Sequence, residues 1–475
     1  MRKPKTIGVG QLVLQIVFPD EQTNNAAGET QEHEPAASSA PAEPSSNKQP
    51  KRKWYSLIDK VYALPNLVSA WLKVKDNHGA AGIDPMSVDT FDQDALQRLE
   101  QLSADLRSKS YRAQPVRRKF IAKSGGGQRA LGIPTVRDRI VQQALLQVLE
   151  AIFEAKFSNR SHGFRPDRGC CTALGVVDRA VRHGYTWVVD ADIRSFFDTV
   201  SHDKLLGAVN EEIADGSVLK LISQILKAGV VLPSAHEMEP TQMGTPQGGP
   251  LSPLLANIYL HAFDVQMAEA GYGLVRYADD FVIFAKSEEA ATEALNLARQ
   301  VLEGQLSLSL HPEKTRVVSV TTGFEFLGFH YFGHPETGRI VKEVRPKSAR
   351  RFREAIRRHT PTLKTQRRVK RKHVTLTRLR KNPWVMGMIG AVNRHLQGWH
   401  GYFRSVWSRY PETPFRNFDG FVRARIRSAI TGKVGPSWTH VQLNNRTLAA
   451  LGLMSLDALQ REYHTGKQSA PARKG

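Results

Sequence analysis

From Trp54 onward, apolar residues recur every three or four positions. Leu57, Val61 and Leu64, then Leu67, Val68, Trp71 and Leu72, predict two short helices, with a turn after them at Gly79–Gly82. Gln114 to Ala122 reads as a strand, and Ser124-Gly-Gly-Gly127 as a hairpin-type turn. Thr135-Val-Arg-Asp138 has the form of a capping box, and behind it Ile140, Val141, Ala144, Leu145, Val148 and Ile152 line one face of a helix. Tyr185 to Ile193 is rich in β-forming residues and ends in Asp-Ala-Asp-Ile. Leu274 to Ala285 alternates around Ala-Asp-Asp, which predicts a hairpin with its acids at the tip. Arg316–Val320 and Phe324–Tyr331 are two further strand candidates. Beyond Pro346 the pattern turns helical, with Met386, Ile389, Val392, Leu396, Trp399, Phe403 and Val406 in steps of three or four. Residues 19–50 interrupt all of this: they hold no aliphatic residue larger than Ala, apart from Pro, and no aromatic, so they cannot bury enough surface to fold.

Charge changes the picture more than composition does. The chain of 475 residues has room for two or three domains, and 41% apolar content is ordinary for a globular protein. Its 67 Lys and Arg against 45 Asp and Glu leave +22. The stretch 19–50 carries −5 and residues 1–18 carry +3, so residues 51–475 carry +24. The basic charge therefore belongs to the folding part, and it attracts a polyanion, either nucleic acid or an anionic membrane. Ile7–Phe18 is too short and too broken by Gln11 and Gln15 to span a bilayer, and it does not read as a signal peptide. The expectation is a cytoplasmic protein of bacterial type, associated with the nucleoid when it acts on DNA, and with no membrane partner. Cys170 and Cys171 are adjacent, which excludes a disulfide framework and a Cys-rich zinc module, and they read as packing.

The candidate chemistry is carboxylate chemistry. Asp192 closes an apolar strand, and Tyr277-Ala-Asp-Asp280 puts two more acids on a tight turn. Alone, an Asp-Asp turn is ordinarily just a solvated turn. Three carboxylates brought together are unfavourable unless cations neutralise them, and a pair of Mg²⁺ ions is the usual device for phosphoryl transfer.

The surrounding motifs carry a resemblance. Leu131-Gly-Ile-Pro134, Gly163-Phe-Arg-Pro166, Asp192-Ile-Arg-Ser-Phe-Phe-Asp198, Thr245-Pro-Gln-Gly-Gly-Pro-Leu-Ser-Pro253, Tyr277-Ala-Asp-Asp280 and Phe326-Leu-Gly328 stand in one order. Together they resemble the reverse transcriptases encoded by group II introns, over about residues 55–430. The resemblance implies an α+β right-hand polymerase: fingers and palm over 54–340 with an antiparallel palm sheet, then an all-helical thumb or maturase domain over 341–431. A disordered acidic extension at 1–53 and a short segment at 432–475, a minimal DNA-binding region, flank these. It further implies Asp192 and Asp279 as metal ligands with Asp280 beside them, the Ile193 carbonyl completing the set, and two Mg²⁺ ions. Phe197 takes the place of the steric gate that excludes a 2′-hydroxyl. Lys123 and Arg129 fall where the family sets cations on the incoming triphosphate, Gln247 lines the nucleotide pocket, and Lys314 assists the leaving pyrophosphate. Arg165 reads as a brace of the fingers.

Residues 345–381 hold 16 Lys and Arg and one acid, Glu354. Ala349, Phe352 and Ile356 interleave with the bases, so this face folds with its cations outward. Arg350, Arg351, Arg357 and Arg358, with the denser cluster Arg367, Arg368, Lys370, Arg371 and Lys372, form the expected RNA-binding surface. The expected partners are group II intron RNA, an RNA template with its DNA primer, target DNA and dNTPs. After residue 430 no Cys remains, so no endonuclease is expected. Two other readings stand at this point: an RNA-binding splicing factor without polymerase activity, and a reverse transcriptase domesticated for phage defence or CRISPR adaptation.

Overall fold

The computed structural model describes residues 53–122, 128–232, 238–239, 241–361, 375–407, 415–432 and 443–469. The extension up to residue 52, the Ser124–Gly127 turn, Lys123 and the cluster 367–372 lie outside the described residues. The strands are β1 Val116–Ala122, β2 Gln128–Ile133, β3 Trp187–Asp192, β4 Val230–Val231, β5 Met238–Glu239, β6 Gly273–Tyr277, β7 Asp280–Ala285, β8 Arg316–Ser319, β9 Phe324–Phe326, β10 Phe329–Gly333 and β11 Ile340–Val344. Two compact units share the chain: Met1–Pro166 with Ile193–Gln266 and Gln300–Ser309, and Asp167–Asp192 with Met267–Arg299 and Leu310–Gly475.

In the first unit the capping box forms. Helix α1, Val136–Glu154, starts at Thr135, whose hydroxyl accepts from the Asp138 amide at 3.1 Å. Asp138 is buried and accepts from the Thr135 and Tyr111 hydroxyls at 2.8 and 2.6 Å. Burial nonetheless raises its carboxyl above the ordinary value. The helix Leu64–Asp76 packs on α1 through Leu67 and Trp71, both buried as the spacing requires. The Gly163-Phe-Arg-Pro motif is a brace: Arg165 grips Glu154 at 2.7 Å and donates to the carbonyls of Ser158 and Ser161. Strands β1 and β2 pair antiparallel from Arg117 opposite Ile133 to Ala122 opposite Gln128.

The second unit is built on an antiparallel sheet in the order β6-β7-β3-β8. One core runs from it through helix α2 Cys170–Arg182 and the aromatic strands into helices α3 Pro346–His359, α4 Pro383–Phe403, α5 Arg416–Thr431 and α6 Leu456–Ser469. Phe352 and Ile356 of α3 are buried and Ala349 is half-buried, so the predicted apolar stripe faces inward. Leu443, Leu448, Leu451 and Leu456 join the same core. The described residues from Leu443 onward thus contribute to the helical body.

One expectation needs correction. Phe324–Tyr331 is not a single strand. It is a hairpin, β9 and β10, turned at Leu327 and Gly328, which stand at φ +44° and +85°. The aromatic residues at 324, 326, 329 and 331 on both sides of it hide that turn. A Cβ on Gly328 would reach ordinary contact with Ser348 and Phe403, so the positive φ rather than crowding favours glycine there.

Behind this hairpin lies Lys342 of β11, with no exposed side-chain surface. Its ammonium donates to Asp178 at 3.0 Å and Ser405 at 3.1 Å, and sits 4.6 Å from the Phe329 ring centroid. Burial holds its pKa below the usual lysine value, against the pull of Asp178. Among the described residues no helix is long and apolar enough to cross a membrane. Asp178→Ala strands a buried ammonium, and a loss of about 3–5 kcal/mol is expected in urea unfolding. Lys342→Met should cost less, because Asp178 keeps 17% of its side chain in water.

Candidate active site

The sheet brings the acids together. Strand β3 ends at Asp192, which pairs directly opposite Asp280 at the start of β7. Tyr277 and Asp280 close the β6–β7 hairpin, leaving Ala278 and Asp279 as its two-residue turn. Ala278 holds φ +58°, a left-handed conformation that costs a non-glycine residue about 1 kcal/mol or more. Side chains alternate along β3, so Asp190 shares the face of Asp192. Asp190 accepts from Arg316 at 3.0 Å, yet burial raises its carboxyl. Asp280 is pushed up to about 7, first by burial, then by Asp279, Asp190 and Asp192, with Arg345 opposing. Lys314 places its ammonium 2.5 Å from Asp192. The structure therefore assembles all three predicted carboxylates and sets Lys314 upon them.

Asp190, Arg316 and Arg345 were not among the candidates. The Asp-Ala-Asp string was the available signal for Asp190, since alternate strand residues share a face. Among the described residues no three His, Cys, Asp or Glu side chains converge tightly enough to hold a metal ion in this conformation. The donors are nevertheless of the kind a hard divalent cation takes: carboxylate oxygens, with Asp280 raised to about 7 by burial and by the neighbouring acids.

The first unit carries the other candidates. A cavity of about 300 Å³ is lined by Phe197, Gln247, Arg118, Thr245, Ala130 and Gly132. The two phenylalanines divide their roles. Phe196 is buried at 2% exposure against Tyr259, and Phe197 is half-buried on the cavity wall. The Gln247 loop is held on β2 by the Gly132 amide, which donates to the Gln247 carbonyl at 2.7 Å. Gly248 stands at φ +123°, and a Cβ there would lie 2.6 Å from the Gly132 oxygen, so this closeness requires glycine. Arg129 is exposed opposite Ile121. The cavity takes Ala130 and Gly132, so alternation puts Arg129 on the other face of the hairpin. Arg118, on the cavity face, was missed, because register and not residue type decides the face.

Comparisons with known proteins address the family. A family model for reverse transcriptase (RNA-dependent DNA polymerase) matches residues 121–331. Protein YkfC of Escherichia coli (strain K12) is 34% identical over 312 residues, covering 57% of this chain and 81% of YkfC. The group II intron-encoded protein LtrA of Lactococcus lactis subsp. cremoris is 42% identical over 198 residues, 41% of this chain and 32% of LtrA. The chain belongs to the group II intron-encoded reverse transcriptases. An uncharacterized 91 kDa protein in the cob intron of Schizosaccharomyces pombe is 39% identical over 197 residues, 41% of this chain and 24% of that protein. The match thus spans a third or less of these two intron-encoded relatives.

This reverse transcriptase also carries an arginine-lined cleft of about 500 Å³ in the second unit, with Asp280, Arg345, Arg351, Arg358, His395 and Trp399 on its walls. Arg350, Arg351, Arg357 and Arg358 of α3 are all exposed. Arg367, Arg368, Lys370, Arg371 and Lys372 lie outside the described residues.

The raised Asp280 carboxyl has a consequence for stability. Its folded pKa lies above the ordinary 3.8, so protonation favours the folded state. That contribution is complete below about pH 4 and is lost as pH rises through about 7. In chelator, Asp280→Asn should raise the melting temperature relative to wild type at about pH 8, and by clearly less at about pH 5. Equal shifts at both values would mean that Asp280 is ionised normally.

Proposed function

We propose that this reverse transcriptase extends a DNA primer along an RNA template and binds group II intron RNA as a maturase, with two Mg²⁺ ions as cofactors. The observation that carries the reading is the register that sets Asp192 opposite Asp280, beside Asp279 and Asp190. Asp192 and Asp279 would hold the ions, with Asp280 adding charge and the Ile193 carbonyl a neutral oxygen. Ions held there supply activation of the primer 3′-hydroxyl and neutralisation of the leaving pyrophosphate. In this reading the sheet β6-β7-β3-β8 is the palm, β1 and β2 belong to the fingers, and the helices from Pro346 form the thumb.

The chain's own side chains bind and orient. Phe197 lines the cavity where a nucleotide sugar would lie, and Gln247 shares it. Lys123 and Arg129 are the proposed triphosphate cations, Arg129 reaching round from the hairpin face opposite the cavity, and guanidinium suits phosphate because it donates two parallel hydrogen bonds. Lys314 is 59% exposed, so its ammonium can pass from Asp192 to the pyrophosphate. The exposed arginines of α3 offer a phosphate-binding face to template–primer or intron RNA, and target DNA is the proposed site of integration.

Asp279→Asn keeps size and removes one charge. Primer extension on an RNA template should fall by roughly a hundredfold or more, while intron RNA binding persists. Retained extension would overturn the metal assignment. Phe197→Ala should raise the preference for rNTP relative to dNTP by roughly tenfold or more, read as a ratio of kcat/KM values. An unchanged ratio would remove Phe197 from the gate.

A further inference from the structure

The first-unit cavity that holds Phe197 and Gln247 is walled by two runs of chain from separate motifs. Phe197 and Asp198 supply one side, and the run from Met243 to Gln247 the other. Backbone bonds join them. The Thr245 amide donates to the Phe197 carbonyl at 2.7 Å, and the Gly244 amide to the Val200 carbonyl at 2.8 Å. Ser201 and Met243 continue the pairing as an antiparallel bridge. Gly244 stands at φ +88°, and a Cβ on it would lie 2.8 Å from the Phe197 oxygen and 3.0 Å from the Asp198 oxygen. A side chain there would push the two runs apart.

One side chain fastens this junction from behind. His202 opens the helix His202–Asn210, directly after Ser201, and is 3% exposed. Its Nε2 lies 2.7 Å from the Gly244 carbonyl oxygen. A carbonyl only accepts, so Nε2 carries the hydrogen and donates it. Nδ1 is buried and meets no hydrogen-bond partner among the described residues, which leaves Gly244 as the polar anchor of the ring. Gly244 is thus gripped at both polar atoms, its amide by Val200 and its carbonyl by His202. Exclusion by shape needs stiffness as well as a bulky group. A 2′-hydroxyl is a single oxygen, and a wall that yields by about an ångström ceases to exclude it.

We propose that His202 is a positioning residue for sugar selection: by holding the Gly244 carbonyl it fixes the run from Met243 to Gln247 against Phe197, and so sets the width of the cavity under the sugar. This rests on the reading of the cavity as the nucleotide pocket with Phe197 as its gate. The role requires a donor at the reach of Nε2. The amide nitrogen of glutamine stands at that reach. The nitrogen of asparagine matches Nδ1 and falls short, and leucine has no donor.

The test is primer extension by the full chain on an RNA template, read as the kcat/KM for rNTP relative to that for dNTP, with melting temperature measured alongside. His202→Leu should raise this ratio by about threefold to tenfold, and should raise KM for dNTP more than it lowers kcat. His202→Gln should bring the ratio back toward wild type, and His202→Asn should not. In a Phe197→Ala background, His202→Leu should add little, because a gate already removed cannot be loosened. The proposal is overturned if His202→Leu keeps the wild-type ratio while Phe197→Ala shifts it, if Gln does no better than Asn, or if the effects of His202→Leu and Phe197→Ala multiply. Should His202→Leu not fold, His202→Asn carries the same decision, and a wild-type ratio there overturns the proposal equally. A Phe197→Ala variant that itself keeps the wild-type ratio would instead refute the nucleotide reading of the cavity, and this inference with it.

Discussion

The repulsion among Asp190, Asp192, Asp279 and Asp280 is the constraint around which the second unit is arranged. Burial first, and then the neighbouring Asp279, Asp190 and Asp192, raise the Asp280 carboxyl to about 7. Their backbones are fixed by strand pairing, so the acids cannot relax by moving apart. The protein answers with cations at the margin. Arg316 reaches Asp190, Lys314 reaches Asp192, and Arg345 acts on Asp280. None of these neutralises the whole group, which is the electrostatic condition for binding a divalent ion.

Rigidity around that group comes from a core that does not stop at the sheet. Val282 and Phe284 of β7 share it with Phe324 and Phe329 of the aromatic hairpin and with Phe352 and Ile356 of α3. Lys342 stands at the junction, its charge enclosed by Asp178 and by aromatic faces. The carboxylate turn and the arginine-bearing helix thus rest on one packed interior, and strain at either is borne by the same residues.

Much of this was legible from the chain. The helix over 136–154 announced itself by its cap and its apolar spacing. The hairpin around Ala-Asp-Asp did so by alternation on both sides of a polar tip. Phe197 and Gln247 could be named from their motifs, and the cavity unites them. What stayed hidden depended on distance in space. No residue type marks Leu327 as left-handed, so β9 and β10 read as one strand. Arg118 and Arg129 differ only in which face of a hairpin they occupy, and that is set by pairing.

The pairing of β3 with β7 also works as a ruler. Strand side chains change face at every step, so substitutions along these strands can be graded in size while length cannot. One residue inserted within 187–192 would turn Asp190 and Asp192 toward the opposite face and bring apolar neighbours to the carboxylate turn. The carboxylate group is therefore more tolerant of altered spelling than of altered spacing. Natural drift and deliberate engineering alike can lengthen this chain only in its connections, such as the stretch between β10 and β11, where Gly338 already turns freely.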